Sequence, residues 1–274
     1  MNLLASFFMT ILISCVELVY LLGVLIAVGF LLGGMERYSN RLLARAFGPR
    51  GILVTAWIGT PIHELGHLLM CFIFGHRVMR VKLLQLKSPD GTLGYVEHQY
   101  NINSYYQQVG NFFIGLGPIF SGIGSLILGM HWLVPNAYEA FTLQIRQHIA
   151  FEKLDVSVLR SVGDVLLALC RSLFTVENLI SPTFWLFIVI AISISSHIAL
   201  SMPDIRNSAK GLQTIFILLV LFNFAARILN IDSYALVIRM AQYNAYLLAF
   251  SGIAVIFSLI TLLVSITISR LKGV

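Results

Sequence analysis

Apolar runs long enough to cross a bilayer recur along the chain at about 3–34, 51–75, 109–132, 183–202, 212–231 and 243–268. A helix needs about 20 mostly apolar residues to span the hydrocarbon core, so each run predicts a membrane helix. Two stretches break the rhythm. Between 78 and 99 the period falls to two, with Val78 to Gln85 and Thr92 to Gln99 flanking the turn sequence Ser88-Pro89-Asp90-Gly91. That pattern predicts a short β-hairpin. A hairpin has free edges and no place in lipid, so it belongs at the interface or among helices. Between 136 and 181, Phe141, Ile145, Ile149, Leu154, Val158, Val162, Leu166, Leu169 and Leu173 recur at helical spacing with charges between them. One or two amphipathic helices, lying on the membrane surface or over the bundle, are expected there. The run at 109–132 is rich in glycine, and Gly117-Pro118 should break its helix midway. The expectation is therefore an all-α polytopic membrane protein. It forms a single integral membrane domain over 1–274, with about six transmembrane helices and a membrane-associated hairpin after the second.

Composition agrees with the pattern. The chain is 58% hydrophobic and only 11% charged, with a mean hydropathy of +0.88, whereas soluble domains are about one quarter charged. The net charge of +6 sits in short loops between apolar runs. Such a distribution suits anionic headgroups and membrane orientation, and argues against a nucleic-acid partner. Cys15, Cys71 and Cys170 are scattered and form no C-x-x-C, so neither a disulfide framework nor a cysteine metal site is indicated. The first run is too long, and lacks the basic start, for a cleaved signal peptide.

The second run, Gly51 to Gly75, changes the picture. It carries His63, Glu64 and His67 in mid-span, where each ionisable group costs several kcal/mol on insertion scales of about 2.5–3.5 kcal/mol. Residues i and i+4 of a helix lie one above the other, so His63 and His67 can present their imidazoles to one metal ion. Glu64, on the neighbouring edge, can take a proton from water. The spacing is the H-E-x-x-H of zinc peptidases. Pro61 is compatible with a helix near its first turn or at a kink.

Catalytic zinc usually has three protein ligands. The acids and histidines at membrane depth elsewhere are Glu17, His197 and Asp204. Glu17 is a lone acid of the first run, expected to face the bundle interior. Asp204 follows Pro203 at the end of the fourth run, and His197 lies seven residues earlier, expected two turns up the same helix. Either could complete the site. His98, between Glu97 and Gln99, reads as solvated.

Taken together, His63-Glu64-Leu65-Gly66-His67 in a span, the hairpin containing Gly91 to His98, Gly117-Pro118 in the next span and a late Asp204 resemble the site-2-protease-type intramembrane zinc metalloproteases. The likeness covers roughly 51–130 and 190–211. Two positions depart from the family pattern: Ser121 stands where asparagine is frequent, and Ile205 follows Asp204 where glycine is the rule. The resemblance implies zinc held by His63, His67 and Asp204, with Glu64 as the general base. His197, at about the place of a family asparagine, becomes a reserve ligand or an oxyanion-side catalytic helper. It also implies an endopeptidase acting on transmembrane or membrane-associated peptides, which an extended hairpin edge can align as an added strand.

Two other classes fit part of the pattern. A divalent-metal or solute transporter would also place histidines at mid-membrane, although Glu64 has no use there and no inverted repeat is visible. A catalytically silent relative would bind membrane partners only. Lys and Arg divide almost evenly between the two sets of loops. With the resemblance, a cell-membrane protein with its N-terminus in the cytoplasm is expected. Substrate identity and oligomeric state are not legible in the sequence.

Overall fold

In the computed structural model, which describes residues 3–48, 50–86, 88, 91–148 and 156–273, the first apolar run continues unbroken into the basic stretch behind it. Helix α1 covers Leu3–Phe47, so Arg37, Arg41 and Arg45 lie on a helix rather than in the expected loop. The stretch from Met35 to Phe47 is mostly good helix formers and holds neither glycine nor proline, which explains the continuation. Helix α2, Arg50–Ile73, carries the H-E-x-x-H motif, and Pro61 sits inside it rather than at its first turn. It ends at Gly75, whose φ of +66° is the left-handed conformation that suits glycine. There the His76 N–H reaches back to the Cys71 carbonyl at 2.8 Å.

The chain leaves that turn directly into β1, Arg77–Lys82, which pairs antiparallel with β2, Tyr95–Gln99. Val78 faces His98 and Val81 faces Val96, with a register shift between Val78 and Arg80. The strands are shorter than the alternation suggested. Beyond them the Gln85 N–H donates to the Leu93 carbonyl at 2.7 Å, and the Gln85 side-chain amide donates to the Thr92 carbonyl at 2.9 Å. Of the predicted turn, Pro89 and Asp90 fall outside the described residues, and Gly91 has a φ of +76°.

Helices α3, Tyr105–Gly115, and α4, Gly117–Leu133, meet at a 55° bend, with Pro118 in the first turn of α4, where its missing N–H costs nothing. The 136–181 segment gives α5, Pro135–His148, α6, Val156–Leu173, and the short α7, Val176–Ile180. The expected positions Ile149, Leu154 and the charges between them lie outside the described residues. Phe141, Val162, Leu169 and Leu173 are buried. The amphipathic stripe of α6 packs on the last long helix of the chain, where Leu166 meets Gly252. Helix α8, Pro182–Ser195, α9, Met202–Ile228, α10, Ser233–Ala241, and α11, Asn244–Leu271, complete the order.

Among the described residues, three helical stretches are long and apolar enough to cross a membrane: Phe7–Phe47, Met202–Ile228 and Ser233–Leu271. A fourth appears if α3 and α4 count as one broken span. Six spans are not shown. Helix α8 has 14 residues, about 21 Å at 1.5 Å per residue against a hydrocarbon core of about 30 Å. Ile217, Leu221, Phe224 and Ile228 of α9 stand exposed at helical spacing, while Glu17, Ser14, Asn223 and Thr261 are buried. A protein whose apolar side faces outward and whose polar groups face inward is built for a lipid surround.

Burying apolar surface gives helices no drive to associate in lipid, so close van der Waals packing has to hold them. Gly66 of α2 lies against the backbone of Gly117, and a Cβ on either would collide with the backbone at the other. This contact sets the motif helix onto the α3–α4 bend. Helix α2 is further flanked by α8, α1 runs along α11, and α3 along α9. Phe112, Ile119, Leu126, Phe187 and Phe257 fill the core between them.

Candidate metal centre

On α2, the i,i+4 spacing brings His63 Nε2 to 3.2 Å from His67 Nε2. Asp204 comes from the first turn of α9. Its Oδ1 lies 3.3 Å from His67 Nε2, and its Oδ2 lies 3.7 Å from His63 Nε2. One ligand atom from each of the three residues falls within 4.8 Å of the others. A tetrahedral ion bound at about 2.0–2.1 Å sets its ligands about 3.3 Å apart, close to these separations.

The hydrogen bonds behind the rings fix which nitrogen is bare. His63 Nδ1 lies 2.7 Å from the His197 carbonyl, and His67 Nδ1 lies 2.7 Å from the Ile114 carbonyl. A carbonyl oxygen only accepts, so each Nδ1 carries the proton and donates it. In the neutral rings both Nε2 atoms are then unprotonated, with lone pairs directed at one another beside a carboxylate. Such an arrangement repels unless a cation or a proton lies between, and backbone carbonyls behind ligand imidazoles are a recurrent feature of metal sites. The donor set therefore fits a divalent metal.

Asp204 is held by the start of its helix. Ser201 caps α9 reciprocally, its Oγ accepting from the Asp204 N–H at 3.3 Å. Asp204 Oδ2 in turn accepts from the Ser201 N–H at 2.7 Å and the Ser201 hydroxyl at 2.6 Å. Two short donors anchor one oxygen and leave Oδ1 for the cluster. The helix N-terminus also favours the negative charge.

Glu64 is buried, and it lines two clefts that share His63, Gly94 and Ser201. One, of about 630 Å³, opens past Phe30, Glu36 and Arg37 of α1. The other, of about 460 Å³, runs beneath β2, past Tyr95, Val96 and His98 to Asp204 and Asn207. The hairpin thus forms one wall of the site. At Gly94 the approach is close: a Cβ there would sit 2.7 Å from Glu64 Cγ and 2.9 Å from Thr60 Cγ2.

The structure brings together His63, His67 and Asp204, with Glu64 beside them. It does not bring in the ring of His197 or the carboxylate of Glu17. His197 follows the end of α8, and Asp204 opens α9, so the two do not share a helix as the spacing suggested. The His197 Nε2 lies 3.0 Å from Thr55 Oγ1, and its ring packs on Gly59. What His197 offers the centre is its carbonyl. Glu17 is fully buried beside Asn223, whose amide donates to it and to Ser14. Ser121 faces the motif helix, its hydroxyl donating to the Ile62 carbonyl at 2.7 Å.

Four contributors were not singled out from the sequence. The carbonyls of Ile114 and His197 carry no residue-type signal at all. Glu36 takes the Ala199 N–H at 2.8 Å and so pins the loop that supplies the His197 carbonyl. Its place in an apparent loop hid it, although an acid just after an apolar run was a visible signal. His76, directly after the motif helix, is buried, and its Nδ1 lies 3.0 Å from His98 Nδ1.

The fold and site define a class: a mostly helical protein with membrane-length helices and one His-His-Asp group able to hold a metal ion. No family model, curated protein or solved structure matches the chain.

Proposed function

We propose that the protein is an intramembrane zinc endopeptidase of the site-2-protease type, cleaving peptide bonds of transmembrane or membrane-associated substrates. The observation that carries this reading is the convergence of two bare imidazole nitrogens and an anchored carboxylate, with a second buried carboxylate, Glu64, in the adjoining clefts. His63, His67 and Asp204 hold the ion. Zinc bound there lowers the pKa of a water toward neutrality and polarises a carbonyl. Glu64 accepts the proton of the attacking water and returns it to the leaving amine. The His197 and Ile114 carbonyls keep both histidines in the ligand tautomer throughout. His197 acts through that carbonyl, not as a catalytic ring.

The wall formed by β2 and Gly94 supports an extended substrate beside the centre, since a strand edge can pair with an unwound peptide. Helices α2 and α8, whose Val54, Trp57, Phe72, Trp185 and Val189 are exposed apolar side chains, complete the expected set of six inside the bilayer. The hairpin and Asp204 lie on the cytoplasmic side, with the N-terminus on the same side, in the cell membrane.

The test is zinc content and cleavage measured together on purified protein. Wild type retains about one zinc per chain and cuts a reconstituted library of transmembrane peptides, with the products read by mass spectrometry. Glu64→Gln keeps the zinc and loses the cleavage. Turnover that survives in Glu64→Gln rules out the mechanism. Weak, exchangeable zinc with no cleavage favours a metal carrier, and firmly held zinc with no cleavage favours a silent relative.

A further inference from the structure

Beside the metal centre, the His76–His98 pair has hydrogen bonds that can be followed atom by atom. His76 is fixed at the junction of α2 and α3. Its Nε2 lies 2.8 Å from the Gln107 carbonyl, while the Gln107 amide donates to the Gly75 carbonyl at 2.8 Å. Tyr100 stacks on its ring at 5.2 Å between centroids. Because the Gln107 oxygen only accepts, the His76 proton sits on Nε2, and Nδ1 of the neutral ring is bare. That bare nitrogen lies 3.0 Å from His98 Nδ1, which must therefore carry its own proton and donate it. The neutral His98 ring is then bare at Nε2. Burial disfavours the cation of both rings. It lowers His76, and with the neighbouring His76 and His67 it pushes His98 down to about 4.

Neutral histidine in water prefers its proton on Nε2, so the pair holds His98 in the less common form. The His98 ring lines the same cleft as Glu64, His67 and Asp204. Among the described residues, no protein group donates to its Nε2. A bare nitrogen repels a carbonyl oxygen or an oxyanion and attracts a donor. A peptide alternates the two groups along its length, so a chain whose carbonyl meets the ion still has backbone N–H groups in need of an acceptor.

We propose that His98 is a substrate-contacting residue whose Nε2 accepts a hydrogen bond from a backbone N–H of a peptide lying in the metal cleft, with His76 as the positioning residue that fixes its tautomer. This rests on the peptidase reading and narrows it: the ligand is recognised along its backbone, from the hairpin side.

Two measurements on the full-length protein in micelles test it. The first is ¹⁵N NMR of labelled histidines, with His98 assigned by loss of its signals in His98→Gln. We expect Nδ1 protonated and Nε2 bare in wild type. The His98 proton returns largely to Nε2 in His76→Ala and stays on Nδ1 in His76→Asn, whose side-chain oxygen replaces the lost acceptor. A protonated Nε2 in wild type overturns the inference and leaves the peptidase reading intact. The second measurement is binding of a trileucine hydroxamate to zinc-loaded protein, compared with analogues in which an ester oxygen replaces each backbone N–H in turn. One ester should bind wild type about tenfold more weakly, with no such loss against His98→Leu, whose full zinc content shows that it is folded. Equal losses in both proteins overturn the inference. Failure of the hydroxamate to bind zinc-loaded wild type overturns both readings.

Discussion

Two histidine pairs lie on either side of the Gly75 turn, and they differ by one carbonyl. On α2, His63 and His67 are 3.2 Å apart through Nε2, and each has a backbone carbonyl behind it. In the hairpin region, His76 and His98 are 3.0 Å apart through Nδ1, and only His76 has a carbonyl behind it. With two carbonyls, both outer nitrogens must donate and both inner ones are bare, so the pair is unsatisfied without a cation. With one carbonyl, a single proton can sit between the rings, and the pair satisfies itself. Short separation between imidazoles is therefore a poor sign of a metal site. The count of acceptors behind the rings decides.

The strongest way to break this comparison is to remove a member of each pair and measure zinc. His67→Ala and Asp204→Ala should lose zinc through purification, an effect larger than the roughly 10–100-fold loss expected when only an orienting partner is removed. His98→Leu and His76→Ala should keep one equivalent. Zinc lost from His98→Leu, or kept in His67→Ala, would show that the acceptors do not separate the two pairs.

The next effect is on geometry between the pairs. Gly94 lies where the hairpin crosses Glu64, and a Cβ there would meet Glu64 Cγ at 2.7 Å. Gly94→Val should lift the hairpin wall from the site, cutting peptide cleavage by about a hundredfold, as a misplacement of about 1 Å can. Zinc content should not change. Cleavage at the wild-type rate would mean that this wall has no part in positioning substrate.

How much of this was legible follows from the same residues. A spacing of four in a helix carries its own geometry, so the proximity of His63 and His67 could be read directly, as could the bend at Gly117-Pro118 and the pairing of the two alternating strands. Asp204 stayed open against His197 on the residues alone, and only the family resemblance favoured it as the third ligand. The break between α8 and α9 was not visible, because Ser195 to Leu200 holds neither glycine nor proline, and this put His197 on the wrong element. The long α1 was missed for the opposite reason: charge at Arg37 to Arg45 looked like the end of a helix, but the helix continues through it to Phe47. The acceptors behind the rings are backbone atoms of Ile114, His197 and Gln107, and no side-chain pattern encodes them.

A smaller effect should appear in stability. His76→Ala removes the donor to the Gln107 carbonyl and leaves His98 Nδ1 without its imidazole partner. An unsatisfied buried polar group costs about 1–3 kcal/mol. The thermal midpoint should fall, and His76→Asn should recover part of the loss through His98 but none through Gln107. A midpoint unchanged in His76→Ala would mean that water replaces the ring without cost.

The mildest change tests the third ligand from behind. Ser201→Ala deletes a helix cap, worth about 1 kcal/mol, together with the hydroxyl that donates to Asp204 Oδ2. The Ser201 backbone N–H still donates to the same oxygen at 2.7 Å, so the carboxylate keeps one anchor of two. Zinc affinity should drop by about tenfold, the lower end of the range for an orienting partner, with zinc still bound at saturation. Ser201→Thr keeps the hydroxyl and should restore both stability and affinity. If Ser201→Ala lowers stability but leaves zinc affinity at the wild-type value, the hydroxyl serves the helix alone, and the backbone N–H by itself is enough to aim Asp204 at the two imidazoles.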